Sequence, residues 1–305
     1  MNKQGKKILE KYLREKATIE RQVKKQIQNR YKKISVEYMK RINTVGPNGL
    51  TEEYLKKTAK WLEKRYFELG KELNGDIEKS IEKTIKGFTD TQVTFYSDLC
   101  RDLRPSFEEM FSKVNEKVLK EMITGDMYKD KITLSKRIWT DNKKTIKTIN
   151  EIMQDGMISK KNSKLIAKDL EEYVRPGLKR EYKTFTIHPK SKHKVEFNSY
   201  RLANTYINHA YQTTSKESSK KNPYVEKIIW VSGHDNRVCP TCLERDGQLF
   251  DKNTVPLDHP LGRCTYEYYI PKSMEQIATE LKDWSQGGKN KQLDEWFNEY
   301  GIDFM

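Results

Sequence analysis

Three cysteines and one histidine in the last quarter of the chain have the spacing of ligands for a single metal ion. Two residues separate Cys239 from Cys242, sixteen more lead to His259, and another four lead to Cys264. A Cys-x2-Cys turn brings two thiolates to one point, and a second pair from a distant turn completes the tetrahedron of sulfur and nitrogen that zinc favours. All four positions would then be filled, whereas a catalytic zinc keeps one position for water. The pattern therefore predicts a structural Zn²⁺ ion.

Two other interpretations of these residues stay open. Cys239 and Cys242 could be free thiols or a redox pair, although redox pairs typically open a helix in a βαβ unit. Here a proline lies between the thiols, and short strands and turns are expected around them. His234 could also replace His259 as the ligand. The fourth cysteine, Cys100, stands alone far upstream, and this distribution favours a reducing cytoplasm over an extracellular disulfide framework.

The segments that must position these ligands are predicted to be short strands. Residues 227–231 and 265–270 are rich in β-branched and aromatic side chains, and residues 248–250 form a third apolar run. Asp246-Gly247 offers a tight turn between them. A module of about forty residues buries too little apolar area to be stable alone, so the metal would supply folding free energy, of order 10 kcal/mol in zinc peptides. Four aromatic residues are predicted to cover the module as packing residues: Trp230, Phe250, Tyr266 and Tyr268.

Most of the remaining chain is predicted to be helical. Apolar residues from Ile8 to Ile42 recur every three, four or seven positions, which indicates one buried stripe of a long helix. A break at residues 45–49 follows, and a second helix runs from Thr51 to about Asn74-Gly75, where Asp76 can cap a third. Further helices are expected at about 105–123, at 138–155, after a cap at Ser159, and at 198–220, 273–284 and 290–299, with a polar loop at about 179–195.

The composition agrees with a mainly α fold. Charged residues make up 34% of the chain and hydrophobic residues 35%, a balance that suits long amphipathic helices. We therefore predict an elongated helical body with a small zinc-stabilised β module near the C-terminus. The predicted segments are a basic helical region (1–125), a second helical part (126–222), the zinc-binding β module (223–272) and a helical tail (273–305).

Positive charge is concentrated at the N-terminus. The chain carries 59 Lys and Arg against 44 Asp and Glu, a net charge of +15, and residues 1–42 alone hold fourteen Lys or Arg and four Glu. Such a segment favours an anionic partner, because Lys and Arg release counterions from phosphates without reading sequence. No apolar run approaches the roughly 18 residues of a membrane span, so a soluble protein is expected. We predict nonspecific, salt-sensitive binding of double-stranded DNA through Lys6, Lys7, Arg14, Lys24, Lys25, Lys32 and Lys33.

The motif around the predicted ligands resembles a known family. The run from Trp230 to Phe250, with Cys-Pro-Thr-Cys at its centre, and the later run Pro256-Leu-Asp-His-Pro-Leu-Gly-Arg-Cys264 are similar to the SPP1 gp7 and Mu gpF-like family of phage minor head proteins. The resemblance covers about residues 150–272. Many members have Arg-Thr-Glu where this chain has Asn204-Thr205-Tyr206, and many have a further cysteine at the position of Gly262.

The resemblance implies a head morphogenesis protein of a tailed phage. Such a protein associates with the portal during capsid assembly in the host cytoplasm and is then retained in the virion head with the genome. A role in head assembly or DNA ejection would follow, with the portal protein, other capsid components and DNA as partners. No common enzymatic activity is implied, so no catalytic residue and no small-molecule substrate are expected.

Three rival functions come into question, and the first two lack a residue that they need. Asp258-His259-Pro260 beside cysteine pairs is similar to an HNH nuclease, but that reading needs His259 free of zinc and a later histidine, and no histidine follows it. A zinc deaminase would need His-x-Glu, which does not occur. A cellular zinc-ribbon protein that binds nucleic acid or another protein is the third possibility.

Overall fold

The computed structural model describes residues 3–99, 104–175, 195–233 and 238–304. Within these ranges the fold is mainly helical with one small sheet near the C-terminus, which confirms the predicted fold class. No described helix has an apolar stretch long enough to cross a bilayer. The helices are α1 (Lys3–Gly49), α2 (Glu52–Leu99), α3 (Arg104–Thr124), α4 (Leu134–Ile158), α5 (Ser163–Val174), α6 (Phe197–Lys220), α7 (Pro240–Arg245), α8 (Met274–Ser285) and α9 (Lys291–Tyr300), and the strands are β1 (Lys227–Val231), β2 (Leu249–Phe250) and β3 (Thr265–Tyr269).

The three strands form an antiparallel sheet in the order β2-β1-β3. Trp230 pairs with Tyr266 across the β1–β3 ladder, and Ile228 pairs with Tyr268. Because alternate side chains of a strand share one face, these four residues lie on the same face, and all four are buried. The predicted packing role of Trp230, Tyr266 and Tyr268 is therefore confirmed, and Phe250 is half-buried against the same core.

The chain divides into two compact units that are discontinuous in sequence. The first contains the described parts of Met1–Glu20, Ser80–Met122 and Asn204–Met305, and therefore the whole sheet. The second contains the described parts of Arg21–Lys79 and Ile123–Ala203. The division into four consecutive segments stays a prediction.

The second unit is a helical assembly whose core includes the part of the apolar stripe of α1 that follows Glu20. Val23, Ile27 and Ile34 are almost completely buried, as the periodicity predicted. Arg30, on the same helix, bonds both Glu72 and Asp76 of α2. Tyr38 donates a 2.8 Å hydrogen bond to a backbone carbonyl oxygen of α5.

Three predicted helix boundaries are wrong. Helix α1 continues through the break predicted at residues 45–49 and ends at Gly49, and α2 begins at Glu52. A glycine costs a helix about 1 kcal/mol and a proline about 3 kcal/mol, so these residues weaken the last turn of α1 without ending the helix earlier. Helix α2 continues through Asn74-Gly75, so Asp76 does not cap a new helix and instead accepts hydrogen bonds from Arg30. An interior glycine costs a helix only about 1 kcal/mol, and burial of Leu73 and Ile77 on either side outweighs that cost. Ser159 ends α4, and Asn162 is the N-cap of α5, accepting the backbone N–H of Lys164 at 2.9 Å. The predicted polar loop at 179–195 lies almost entirely outside the described residues.

In the first unit, an aromatic cluster joins three helices. The ring centroid of Tyr12 of α1 lies 5.3 Å from that of Phe88 of α2 and 5.7 Å from that of Tyr211 of α6. The hydroxyl of Tyr211 donates to the carbonyl oxygen of Tyr266 at 3.0 Å and accepts its N–H at 3.2 Å. These two backbone groups lie on the outer edge of β3, which directly follows the predicted ligand Cys264. Helix α6 therefore covers this edge of the sheet.

Candidate metal centre

The first ligand pair lies at the beginning of α7. Cys239 is the N-cap of this helix, with an extended backbone (φ −77°, ψ 159°), and Pro240 is its first residue. The backbone N–H of Cys242 donates to the Cys239 sulfur at 3.4 Å, so the helical turn places both sulfurs on one side. The sequence predicted only short strands and turns around the thiols, and the short helix α7 corrects that prediction. The surrounding sheet is nevertheless antiparallel and not the βαβ unit of redox proteins.

The second pair lies on the loop between β2 and β3. The N–H of Gly262 donates to the His259 carbonyl oxygen at 2.8 Å and closes a tight turn between His259 and Cys264. Nδ1 of His259 is 3.0 Å from the Pro260 carbonyl oxygen, and donation there leaves the Nε2 lone pair available to a metal. Desolvation lowers the pKa of His259, but the Pro260 carbonyl and the Asp258 carboxylate raise it overall.

The fold brings the two pairs together around Cys242. The ligand atoms of Cys239, Cys242 and His259 all lie within 4.8 Å of one another, and so do those of Cys242, Asp258 and Cys264. The two groups share Cys242, so the four predicted ligands lie close together and could hold a metal ion. A set of three sulfurs and one imidazole has the chemistry that Zn²⁺ prefers.

Burial and charge set the ionisation of the three thiols. Burial raises the pKa of Cys242, and the neighbouring thiols and the Asp258 carboxylate raise it further. Burial and the same carboxylate raise the pKa of Cys264. The pKa of Cys239 is lowered, because its sulfur accepts the backbone N–H of Cys242. Two of the three thiols thus resist ionisation unless a cation is bound, and a divalent metal would supply that charge.

No protein-family model, curated protein or solved structure matches this chain. The likeness to phage minor head proteins therefore remains a prediction based on the motif between Trp230 and Cys264.

The sequence alone did not reveal the buried groups that contact the second ligand pair. One is Asp258, whose carboxylate is fully buried between the ligands. The others lie on helix α6, where Thr205, Asn208, His209 and Gln212 hydrogen-bond residues 258–264, named here the metal-binding loop after its two candidate ligands. Their spacing of three, four and seven residues was visible in the sequence as a polar stripe, but the same spacing is common on solvated helix faces. Only the buried positions of the last three reveal a different role.

The predicted DNA-binding residues lie on α1, and the side chains that are described are exposed. Lys7, Arg14, Lys25 and Lys32 follow at intervals of seven, eleven and seven residues, so they share one helical face. That face is opposite the one that buries Val23 and Ile27. Two other predicted residues, Lys24 and Lys33, flank it, and Lys24 packs over the ring of Tyr200 at 5.1 Å.

Three residues that the sequence singles out lie wholly, or with their side chains, outside the described part of the protein. Lys6 belongs to α1, but its side chain is outside the described residues. His234, the alternative ligand, and Cys100 also lie outside them.

Proposed function

We propose that the protein is a non-catalytic component of a tailed-phage head, in which a zinc ion holds the β module together and helix α1 contacts packaged DNA. The convergence of Cys239, Cys242, His259 and Cys264 carries this proposal, because these residues also carry the likeness to minor head proteins. The rigid module would dock on the portal or on a neighbouring capsid component. Docking and DNA contact together would serve head assembly or DNA ejection.

The zinc assignment is supported by the donor set. Three soft sulfur donors disfavour magnesium and calcium, which prefer oxygen ligands, and an imidazole in the fourth position suits zinc. With four protein ligands in place, no position is left for a reacting water. The proposal is therefore a structural ion that stiffens a binding surface.

The basic face of α1, defined as Lys7, Arg14, Lys25 and Lys32, supports DNA contact. Its four charges are exposed and periodic, as phosphate contact along a helix requires. The apolar stripe of α1 is buried in the core, so this helix cannot insert that stripe into a lipid surface. An anionic polymer therefore fits this face better than a membrane does.

Replacing all four residues of the basic face by Gln should weaken binding of duplex DNA and make it less sensitive to salt. Each lost phosphate contact reduces the slope of log K against log salt by about 0.9, so the slope should fall by about 3 to 4. Fluorescence anisotropy with two duplexes of unrelated sequence, measured at several salt concentrations, checks this. Both duplexes should be affected equally.

The matched control removes four exposed lysines from α2, namely Lys56, Lys57, Lys60 and Lys64. It changes the net charge by the same amount, yet two of these lysines already pair with Glu52 and Glu53. The control should retain most of the salt dependence. Equal losses in both variants would show that net charge alone acts, and would rule out the basic face.

Association with capsid components tests the head assignment itself. The full chain, coexpressed with the portal and major capsid proteins of a tailed phage, should copurify with portal rings or procapsids after size separation. Mass spectrometry of the purified particles measures this incorporation. A chain that binds zinc and DNA but is absent from the particles would contradict the head assignment and favour a cellular zinc-ribbon protein.

A further inference from the structure

We propose that Asp258 is the positioning residue of the metal centre, holding the second ligand pair in place for the ion while helix α6 holds Asp258. This inference rests on the metal-binding part of the proposed function. Asp258 is not one of the four predicted ligands, and experiment can distinguish a positioning role from that of a ligand.

The carboxylate of Asp258 accepts the backbone N–H groups of both ligands in the second pair. Oδ1 accepts from His259 at 2.8 Å, and Oδ2 accepts from Cys264 at 2.8 Å. One rigid group therefore sets the backbone positions of two ligands that are five positions apart in the loop. Oδ1 also lies 3.4 Å from the Cys242 sulfur, which links the second pair to the first.

Gly262 makes room for this arrangement. A Cβ atom added at position 262 would lie 2.0 Å from the carboxyl carbon and from Oδ2 of Asp258, far inside van der Waals contact. The loop can therefore close over the carboxylate only if residue 262 has no side chain. The preceding residue, Leu261, has a left-handed backbone (φ 63°), and its N–H donates to the Thr205 hydroxyl of α6 at 3.1 Å.

Helix α6 forms hydrogen bonds with both the backbone N–H and the backbone carbonyl oxygen of Asp258. Gln212 accepts the Asp258 N–H at 3.0 Å and donates to the Cys264 carbonyl oxygen at 3.1 Å. His209 Nε2 donates to the Asp258 carbonyl oxygen at 2.9 Å. The Asn208 amide approaches Oδ2 at 3.4 Å. Because these bonds need no metal, the second ligand pair is pre-organised before the ion binds.

Substitution of Asp258 should therefore lower zinc affinity without changing the ligand set. Loss of a group that orients metal ligands typically costs 10- to 100-fold in affinity, so we expect a loss of that size for Asp258→Ala. Asp258→Asn should lose less zinc affinity than Asp258→Ala, because its carbonyl oxygen can still accept one of the two N–H groups. Gly262→Ala, which leaves the aspartate in place but displaces it, should show a loss like that of Asp258→Ala.

The measurement is zinc competition against a chromophoric chelator, combined with the visible spectrum of the Co²⁺-loaded full-length protein. Asp251→Asn is the matched control, because Asp251 is an exposed aspartate of the same module that accepts the Asn253 N–H at 2.8 Å. A positioning role predicts lower affinity, one ion per chain and unchanged sulfur-to-cobalt charge-transfer bands in the Asp258 and Gly262 variants. Asp258→Asn keeps the test valid if Asp258→Ala does not fold.

Two results would overturn this inference. Zinc affinity in Asp258→Asn and Gly262→Ala equal to that of Asp251→Asn would show that the carboxylate does not position the ligands. A changed cobalt coordination spectrum in Asp258→Asn would make Asp258 a ligand instead. A native protein that binds no zinc would instead defeat the metal-binding part of the proposed function.

Discussion

Cys242→Ser should release the metal almost completely, whereas the native protein should contain one zinc ion per chain. Cys242 is the residue that both groups of converging ligand atoms share, and it is 2% exposed. Serine keeps the size of the side chain but lacks the thiolate that binds zinc. Elemental analysis of purified protein, with thiol counting before and after addition of a chelator, measures the effect.

Thiol counting also identifies the ligand set. The native protein should show at most one reactive thiol, from Cys100, and four after chelation and unfolding. Cys100→Ser is the matched control and should keep its zinc and show three thiols after chelation and unfolding. A Cys242→Ser protein that retains one zinc ion would contradict the predicted ligand set.

The effect of metal loss on folding should be local. From the sequence alone, the module is too small to fold without the ion, which predicts that loss of the first ligand pair unfolds it and prevents incorporation into heads. The structure adds hydrogen bonds from Tyr211 and Gln212 of α6 that hold β3 and the metal-binding loop independently of the ion. We therefore expect hydrogen exchange to increase mainly in α7, with β1 and β3 remaining protected. Increased exchange across the whole sheet would instead show that folding of the entire module depends on the metal.

Trp230→Ala should produce the largest loss of stability among single substitutions in the core of the module. Trp230 is completely buried, and its ring centroid lies 5.7 Å from that of Tyr266 and 6.2 Å from that of Phe250. Removing a buried aromatic side chain of this size leaves a cavity and typically costs about 3 to 5 kcal/mol. Urea denaturation of the zinc-loaded protein, followed by circular dichroism, gives the free energy of unfolding.

Leu243→Ala is the control for Trp230→Ala. Leu243 lies on α7 in the same module, but it is 64% exposed, so its removal should change the free energy of unfolding by no more than about 0.5 kcal/mol. A small effect in both variants would mean that the aromatic core does not stabilise the module. A large effect in both would mean that the exposed face of α7 is covered by another surface in solution.

The sequence by itself determined the features that depend on local periodicity and spacing. The stripe of α1 with Tyr12, Val23 and Ile27 was predictable because helical residues three, four or seven apart share one face. The three strands were predictable from their β-branched and aromatic residues, and the four candidate ligands from two short motifs, Cys-x2-Cys and His-x4-Cys.

The tertiary structure decided everything that depends on contacts between distant segments. Helix α2 continues through Gly75 because its neighbours Leu73 and Ile77 are buried, and no local signal reports that burial. Asp258 follows an unremarkable Pro-Leu pair in the sequence, and its role depends on α6, about fifty residues earlier in the chain. In the sequence, helix α6 looks like an ordinary polar helix. Only the structure shows that its side chains form hydrogen bonds with the metal-binding loop. Hydrogen bonds between distant segments leave no periodic pattern, so only the folded chain reveals them.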